Sequence, residues 1–386
     1  MPSRSEAPRI RTLMYVQIAH HIRERILDGK YPANSLLPSE RELAQEWKAS
    51  RQTIRLALEQ LRQEQMVSSE QGRGNRVLSQ ELIFDSATED DSSSKLAALV
   101  IYDVTHGGAM AICQAAAAAM QVEGYHLIVA ETAPQSNRRA EDEAQQIRSL
   151  IDKGIRGLII YAEPTDRNRA LLEEALDKGI QVVQIDRYLT GLPCDHVGVE
   201  NALASAEITE HLLTLGHRII GFISFTQSAS TCHERFQGYC SALTRNAIPV
   251  TEDIIGYYDT NGEKLEEIRS IIQQWQALTE PPTAIFAVND ELAFDMLQVL
   301  ATLQISVPSQ IAVVGFDNLP AASLVSPPVT TVAQPFQDLG YTAAQLLLSR
   351  MQRKFGGHPR RVLLPTQLVV RQSCGTLLVQ PQPILV

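Results

Sequence analysis

From Lys95 onward the chain alternates short apolar runs with longer amphipathic stretches. LAALVIYD, YHLIVAET, IRGLIIYA, IQVVQID, IIGFISF, IIGYY, TAIFAV and IAVVGFD are compact and mostly β-branched, and helical patterns lie between most of them. Strands buried on both faces and separated by helices predict parallel α/β sheets. About 290 residues exceed what one such sheet of ordinary size organises, so two lobes are expected. Ligands in these folds sit at the carboxyl ends of strands. Asp186, Asn289 and Asp317 each directly follow a strand-like run, and Asp103 and His106 follow the first.

The first 78 residues follow a different period. Tyr15, Ile18, Ala19, Ile22 and Ile26 make one amphipathic helix, ended by Asp28-Gly29 and Pro32. Ser39 and Glu42 form an S-x-x-E capping box after Pro38, which predicts a helix over 39–47 that buries Leu43, Ala44 and Trp47. Ile54, Ala57, Leu58 and Leu61 fall at i, i+3, i+4 and i+7 of a third helix over 51–65, with Ser50 as its cap. MVSSEQGRGNRVL then reads as two short strands around a glycine-containing turn. The predicted head (1–78) is therefore a winged helix-turn-helix, mostly α with a β-wing. Residues 79–94, SQELIFDSATEDDSSS, read as a linker, 95–375 as the two-lobed α/β domain, and 376–386 as a tail without a zipper-like period.

Charge sharpens the reading of the head. The formal net charge is −10, yet residues 1–79 hold 13 Lys and Arg against 9 Asp and Glu, and the remainder holds 21 against 35. A basic head on an acidic body flags a nucleic-acid module. Arg51, Gln52, Thr53 and Arg55 crowd the start of the third helix. A helix N-terminus favours anions, and in helix-turn-helix proteins the second helix of the motif enters the major groove there. Arg suits guanine and Gln suits adenine. Arg73 and Arg76 are placed to reach an adjacent groove or phosphates. Taken alone, a basic polar face is a solvated face; three helices, capping box, wing and charge together favour double-stranded DNA as partner.

Other classes recede. No run approaches the length of a membrane span, and the N-terminus lacks an apolar h-region, so a cytoplasmic protein is expected. The apolar stretch AMAICQAAAAAM (109–120) reads as a buried helix. Cysteines at 113, 194, 232, 240 and 374 form no CxxC pair, which suits reduced thiols rather than a disulfide framework or metal site. No GxGxxG after a strand, Walker motif or GxSxG occurs, so neither cofactor nor catalysis is expected.

Residues 12–78 resemble the GntR family of bacterial winged-helix regulators. The resemblance is carried by Ile26, Gly29, Tyr31 and Pro32; by Leu37-Pro38-Ser39-Glu40-Arg41-Glu42-Leu43-Ala44; by Ser50-Arg51-Gln52-Thr53-Ile54-Arg55-Leu56-Ala57-Leu58; and by Gln71-Gly72-Arg73-Gly74. It implies DNA contacts from Arg41, Arg51, Thr53 and Arg55, with Gln71, Gly72 and Arg73 at the wing tip; Ser50 and Gln52 join the candidate set. Asn34 departs from the family's Gly, and Asn75-Arg76 from its Thr-Phe.

Residues 95–375 resemble the LacI-type effector domain, a relative of periplasmic sugar-binding proteins. Its marks include Gln184-Ile185-Asp186-Arg187, His196-Val197-Gly198-Val199-Glu200-Asn201, Arg235-Phe236-Gln237-Gly238-Tyr239, Asn289-Asp290 and Val313-Val314-Gly315-Phe316-Asp317-Asn318. The fusion is similar to the arabinose repressors of Gram-positive bacteria. The resemblance implies lobes of roughly 95–198 with 336–363, and 199–332 with 364–375. It also implies a cleft lined by Asp186, Arg235, Tyr258, Asn289, Asp317, Gln334 and Phe336, completed by Asp103 and His106.

Sugar hydroxyls both donate and accept, and carboxylates, an amide and a guanidinium complement them. Tyr258 and Phe336 offer aromatic faces, although Tyr258 also fits a core role. Asp186 fits either a ligand contact or a brace; Asp290 and Arg187 read as caps or braces, and His211 and His217 as helix-end residues. His106-Gly107-Gly108 departs from the family's Asn-Pro-aromatic motif. The expectation is a cytoplasmic, homodimeric, ligand-responsive repressor of carbohydrate genes, released from a palindromic operator by a sugar. A purine or other corepressor, or a sugar-binding module or enzyme without DNA binding, stand as alternatives.

Overall fold

A computed structural model describes residues 18–375 except 20, 23–24, 27–29, 33–34, 64–65, 71–73, 79–94, 106, 133–138, 227–228, 260–262 and 353–356. The chain divides into two compact units, residues 1–88 and 89–386.

In the first unit, α1 (Glu40–Glu46), α2 (Arg51–Gln63), β1 (Val67–Glu70) and β2 (Gly74–Val77) follow one another. The capping box forms: Ser39 Oγ accepts from Glu42 N (3.3 Å) while the Glu42 carboxylate accepts from Ser39 N (2.8 Å). Thr53 N donates to Ser50 Oγ (3.1 Å), which caps α2. β1 and β2 pair antiparallel, with Val67 opposite Val77 and Glu70 opposite Gly74. Residues 35–37 join this ribbon through Leu37 N to Asn75 O (2.8 Å) and Val77 N to Ser35 O (2.9 Å). The helical residues Ile18, Ala19 and Ile22 close a core with Leu43, Ile54, Ala57, Leu58, Leu61, Met66, Val67 and Val77. Trp47 and Ala44 are half-buried rather than buried; Trp47 stacks on His21 (5.2 Å) at the edge of that core. Tyr15, the Asp28-Gly29 stop, Glu64, Gln65 and the linker at 79–94 lie outside the described residues.

The second unit runs β3 (Leu96–Tyr102), α3 (Gly107–Val122), β4 (His126–Thr132), α4 (Arg139–Asp152), β5 (Gly157–Ile160), α5 (Asp166–Asp177), β6 (Gln181–Ile185) and β7 (Asp195–Val199). It continues with α6 (Asn201–Thr214), β8 (Ile220–Phe225), α7 (Ser230–Arg245), β9 (Ile255–Tyr258), α8 (Lys264–Gln276), β10 (Ala284–Ala287), α9 (Asp290–Thr302) and β11 (Ala312–Val314). β12 (Thr331–Ala333), α10 (Phe336–Met351), β13 (Arg361–Leu364) and β14 (Gln367–Val369) complete it.

Two parallel sheets result. The first has the order β13-β7-β6-β5-β3-β4, and the second β11-β10-β8-β9; β12 and β14 form an antiparallel pair. The chain passes between the lobes three times: after β7, between β12 and α10, and between β13 and β14. In the first lobe α3 and α10 cover one sheet face, and α4 and α5 the other. The second lobe has a single core around Phe222, Tyr239 and Phe286.

All eight apolar runs are strands. β7 escapes the apolar pattern because its buried positions include Asp195 and His196. Asp195 is satisfied by a bidentate Arg350, both contacts 2.8 Å. The 109–120 stretch is helical but only one face is buried, through Ala109, Ile112, Ala116, Ala119 and Met120; Met110 is 47% exposed. Among the described residues no helix is long and apolar enough to cross a membrane.

Gly340 lets α10 approach α3 closely: a Cβ there would lie 2.3 Å from Ile112 O, a backbone atom with little room to yield. Overpacking of this kind costs about 1–3 kcal/mol. Gly340→Ala should therefore lower the unfolding free energy by about that amount in a urea titration. An unchanged midpoint would contradict the close crossing.

Candidate functional site

The described candidate groups of the head lie near the starts of α1 and α2. Arg41, Ser50, Arg51 and Arg55 are exposed and Thr53 is half-buried. Arg55 Nε donates to Glu40 Oε2 at 2.8 Å, which ties the start of α2 to the start of α1 beside Arg41. The first turn of α2 has no carboxylate although its N-terminus carries two Arg. Such a turn is suited to an anion. Gln52 lies on the same turn of α2. Gln71, Gly72 and Arg73 lie outside the described residues. Asn75, the departure in the wing, is buried and accepts from Arg62 Nε (3.3 Å), so it fastens β2 to α2.

In the second unit the site grows from strand ends. Asp103 after β3, Asp186 after β6 and Asp317 after β11 have φ of 45°, 62° and 120°, and Asn318 follows at 57°. Left-handed backbone is uncommon for such residues and costs about 1–3 kcal/mol each where it is strained, so its recurrence at strand ends singles out these turns as a candidate site. Asp103 Oδ1 accepts from Thr105 N (3.0 Å) and the Thr105 hydroxyl. His106 lies outside the described residues.

On the first-lobe side, Asp186 is fixed through its backbone: its N–H donates to Val197 O (2.8 Å), and its carbonyl oxygen bonds His196 Nε2 (2.9 Å). Its carboxylate is buried, and Oδ1 has no hydrogen-bond partner. Arg187 lies 4.1 Å over the Tyr161 ring and donates to Glu163 Oε1 (2.7 Å). Glu163 N in turn donates to the buried Glu143 carboxylate (3.0 Å), which also accepts from Asn168 Nδ2 (2.7 Å). Burial pushes the Glu143 carboxyl up to about 7. Burial, then the Asp186 charge, raises the Tyr161 hydroxyl.

On the second-lobe side, Arg235 is buried. Nε donates to Asn201 Oδ1 (2.9 Å), Nη1 to Val288 O (2.8 Å), and Nη2 lies 3.5 Å from Asp317 Oδ1. The guanidinium sits 3.8 Å over Phe316. Gln334 Nε2 donates to Asp317 Oδ1 (2.7 Å), leaving Gln334 Oε1 buried without a partner.

Three candidates are drawn into packing. Asn289 caps α9, its Oδ1 accepting from Leu292 N (3.0 Å). Tyr258 is buried in the second-lobe core, edge-on to Phe225 at 5.4 Å. Phe336 fills the space above Gly108, where a Cβ would lie 2.7 Å from its Cζ, so the Gly107-Gly108 departure admits this ring. Asp290, read as a brace, accepts from Leu319 N (2.8 Å) and Thr331 Oγ1 (2.6 Å). Burial pushes its carboxyl up to about 7.

Tyr161 and Glu163 stand against Arg187 beside the candidate site, and the sequence does not single them out, although Tyr161 lies at the end of the run IRGLIIYA and Glu163 follows it; the strand-end rule flags both. Arg187 reads as a brace in the sequence, and the structure places it at the edge of the site, next to Asp186.

Comparison with known proteins adds independent findings. The family described as "Bacterial regulatory proteins, gntR family" matches residues 14–77, and "Periplasmic binding protein-like domain" matches residues 209–374. The HTH-type transcriptional repressor CytR of Escherichia coli is 30% identical over 66% of this chain and 72% of its own length. The chain belongs to the bacterial transcriptional regulators with a gntR-family head and a LacI-type effector body. The arabinose metabolism transcriptional repressor of Geobacillus stearothermophilus is 27% identical over 93% of this regulator and 97% of the relative. A solved transcriptional regulator CelR–cellobiose complex shares the fold, with a TM-score of 0.64 and 22% identity over 87% of this chain and 100% of that chain.

The buried carboxyls of the regulator carry a pH signature. Glu143 and Asp290 sit at about 7 in the fold against ordinary values of 4.5 and 3.8. Unfolding then releases protons between about pH 4 and 7, so their contribution is present below that window and lost as pH rises through it. Glu143→Gln with Asp290→Asn should flatten the decline in unfolding free energy between about pH 4.5 and 7. An unaltered slope would contradict the assignment.

Proposed function

We propose that the protein is a cytoplasmic, homodimeric repressor of carbohydrate-utilisation genes that binds a palindromic operator and is released by a sugar. The observation that carries this reading is the acceptor-rich cleft. Asp186 Oδ1 and Gln334 Oε1 are buried and unpartnered, one on each side, beside the fixed Arg235–Asp317 pair. Buried polar atoms left without partners are costly, and sugar hydroxyls would satisfy them. The names of two relatives, an arabinose metabolism repressor and a cellobiose-bound regulator, support the same class.

A nucleobase is less well served. The Tyr161 and Phe316 rings each carry a guanidinium on one face. A catalytic reading finds no nucleophile held by a base among the described residues: the polar groups of the cleft pair with one another and with backbone. Asp103, Asp186, Arg235, Asp317 and Gln334 are the side chains assigned to the sugar. Phe336 and Asn289 shape the cleft from its wall, and Tyr258 supports it from the core.

A sugar that bridges Asp186 and Gln334 favours the closed arrangement of the lobes. It can shift operator binding only by its differential affinity for the two states, about 1–3 kcal/mol of coupling. In the head, Arg41, Arg51 and Arg55 neutralise phosphates or read guanine, Gln52 suits adenine, Ser50 and Thr53 position the helix start, and Gln71, Gly72 and Arg73 belong to the wing contact.

Arg51→Ala with Arg55→Ala should weaken binding to a palindromic duplex selected from random DNA by the full chain. The log–log salt slope should become shallower by about 1 for each phosphate that is no longer neutralised. Unchanged affinity and slope would remove α2 from the interface. Asp317→Ala should retain operator binding yet lose release by sugar; retained release would remove Asp317 from the effector site.

A further inference from the structure

We propose that Glu234 is a positioning residue that latches the first lobe onto α7 of the second and so sets how readily the two lobes part. The latch stands on its own contacts; its effect on operator binding rests on the repressor reading.

The lobes meet on both sides of the cleft. On one side a Cβ at Gly107, at the start of α3, would lie 3.1 Å from Pro320 Cδ of the second lobe. On the other side Tyr188 and Arg361 of the first lobe reach α7. Glu234 Oε1 accepts from Tyr188 Oη at 3.0 Å and from Arg361 Nη2 at 2.6 Å, and Tyr188 N donates to Ser230 Oγ at 2.9 Å. Asp186 and Arg187 of the first lobe and Arg235 and Asp317 of the second are all buried in this arrangement.

Glu234 takes donors from three elements: Tyr188 after β6, Arg361 of β13, and Asn201 Nδ2 of α6 at 3.0 Å. Its side chain is 17% exposed against 49% for Arg361, so water screens the ion pair more than it weakens the sheltered bond to Tyr188. Burial, then the Glu234 charge, raises the Tyr188 hydroxyl, which keeps it a donor.

Both ends of the latch run into the effector residues. The Asn201 amide donates to Glu234 and accepts from Arg235 Nε at 2.9 Å, an orientation fixed because a guanidinium only donates and a carboxylate only accepts. In the first lobe Arg361 lies 4.9 Å over the Tyr188 ring, and that ring lies 4.7 Å from His196, whose Nε2 bonds the Asp186 carbonyl oxygen. Movement of Arg235 or Asp186 is therefore felt at Glu234. The latch biases the lobe equilibrium, and with it the effector concentration needed for release, from outside the ligand site.

The test is hydrogen exchange, resolved to single amides by fragmentation, on the full chain without added sugar or DNA. Tyr188→Phe with Arg361→Met removes both first-lobe donors to Glu234 and keeps the backbone N–H at position 188 and its acceptor Ser230. The neighbouring Leu189 N–H is the control, because it donates within the first lobe, to Gln184 Oε1 at 2.6 Å. The expected result is exchange at position 188 at least about tenfold faster, with Leu189 unchanged. Unchanged exchange at both amides means that the lobes stay together without the latch and overturns the proposal. Equal acceleration at both means that the two side chains only hold the turn after β6, which overturns it as well. The same variant is titrated with the selected palindromic duplex, and tighter binding than wild type is expected if closure releases the operator. Faster exchange at position 188 alone, with unaltered or weaker operator binding, supports the latch and contradicts release by closure.

Discussion

The effector unit is arranged around a buried cation. Removing a guanidinium from water is costly unless all its faces are engaged. Arg235 meets that demand with the end of β10 through Val288 O, the start of α6 through Asn201, the segment after β11 through Asp317, and the Phe316 face. Each partner must arrive from a different element, so the packing of α7 against α6 and the left-handed turn at Asp317 follow from one requirement. The Asn201 amide extends the arrangement. Its Nδ2 donates to Glu234 (3.0 Å), which also accepts from Tyr188 Oη (3.0 Å) and Arg361 Nη2 (2.6 Å). Tyr188 and Arg361 belong to the first lobe, so the cation of the second lobe is linked through two side chains to the other half of the cleft.

The first lobe repeats the device. Arg187 is stacked on Tyr161 and paired with Glu163 much as Arg235 is stacked on Phe316 and paired with Asp317. Parallel sheets explain why both sit at the same kind of place: all carboxyl ends of a sheet point the same way, so polar residues after the strands converge. Each guanidinium is paired with a carboxylate, Arg187 with Glu163 and Arg235 with Asp317.

The strands of the two sheets were legible because buried parallel strands read as continuous apolar runs. β7 was not read as a strand, since Asp195 and His196 interrupt its run and are compensated by Arg350 and by Asp186 O, partners that no local pattern specifies. The helix caps at Ser39 and Ser50 were legible because capping is local. The placement of Asp186 and Asp317 just after strands was legible from the apolar runs that precede them. The use of Asn289 as a cap and the seating of Phe336 on Gly108 were not legible, because each depends on which neighbour arrives in space; for Tyr258 the core reading, one of two the sequence offered, matches its burial. The pairing of Glu163 with Arg187 likewise joins residues that sequence alone treats separately.

The most direct measurement is of reciprocal linkage in the full chain. The dissociation constant for the selected palindromic duplex is measured with and without a saturating neutral sugar, and that for the sugar with and without saturating duplex. A ligand-released repressor requires both constants to weaken by the same factor, about 5–150-fold. A sugar that binds with equal affinity to the free and DNA-bound protein would contradict the coupling of head and body on which the proposed function depends.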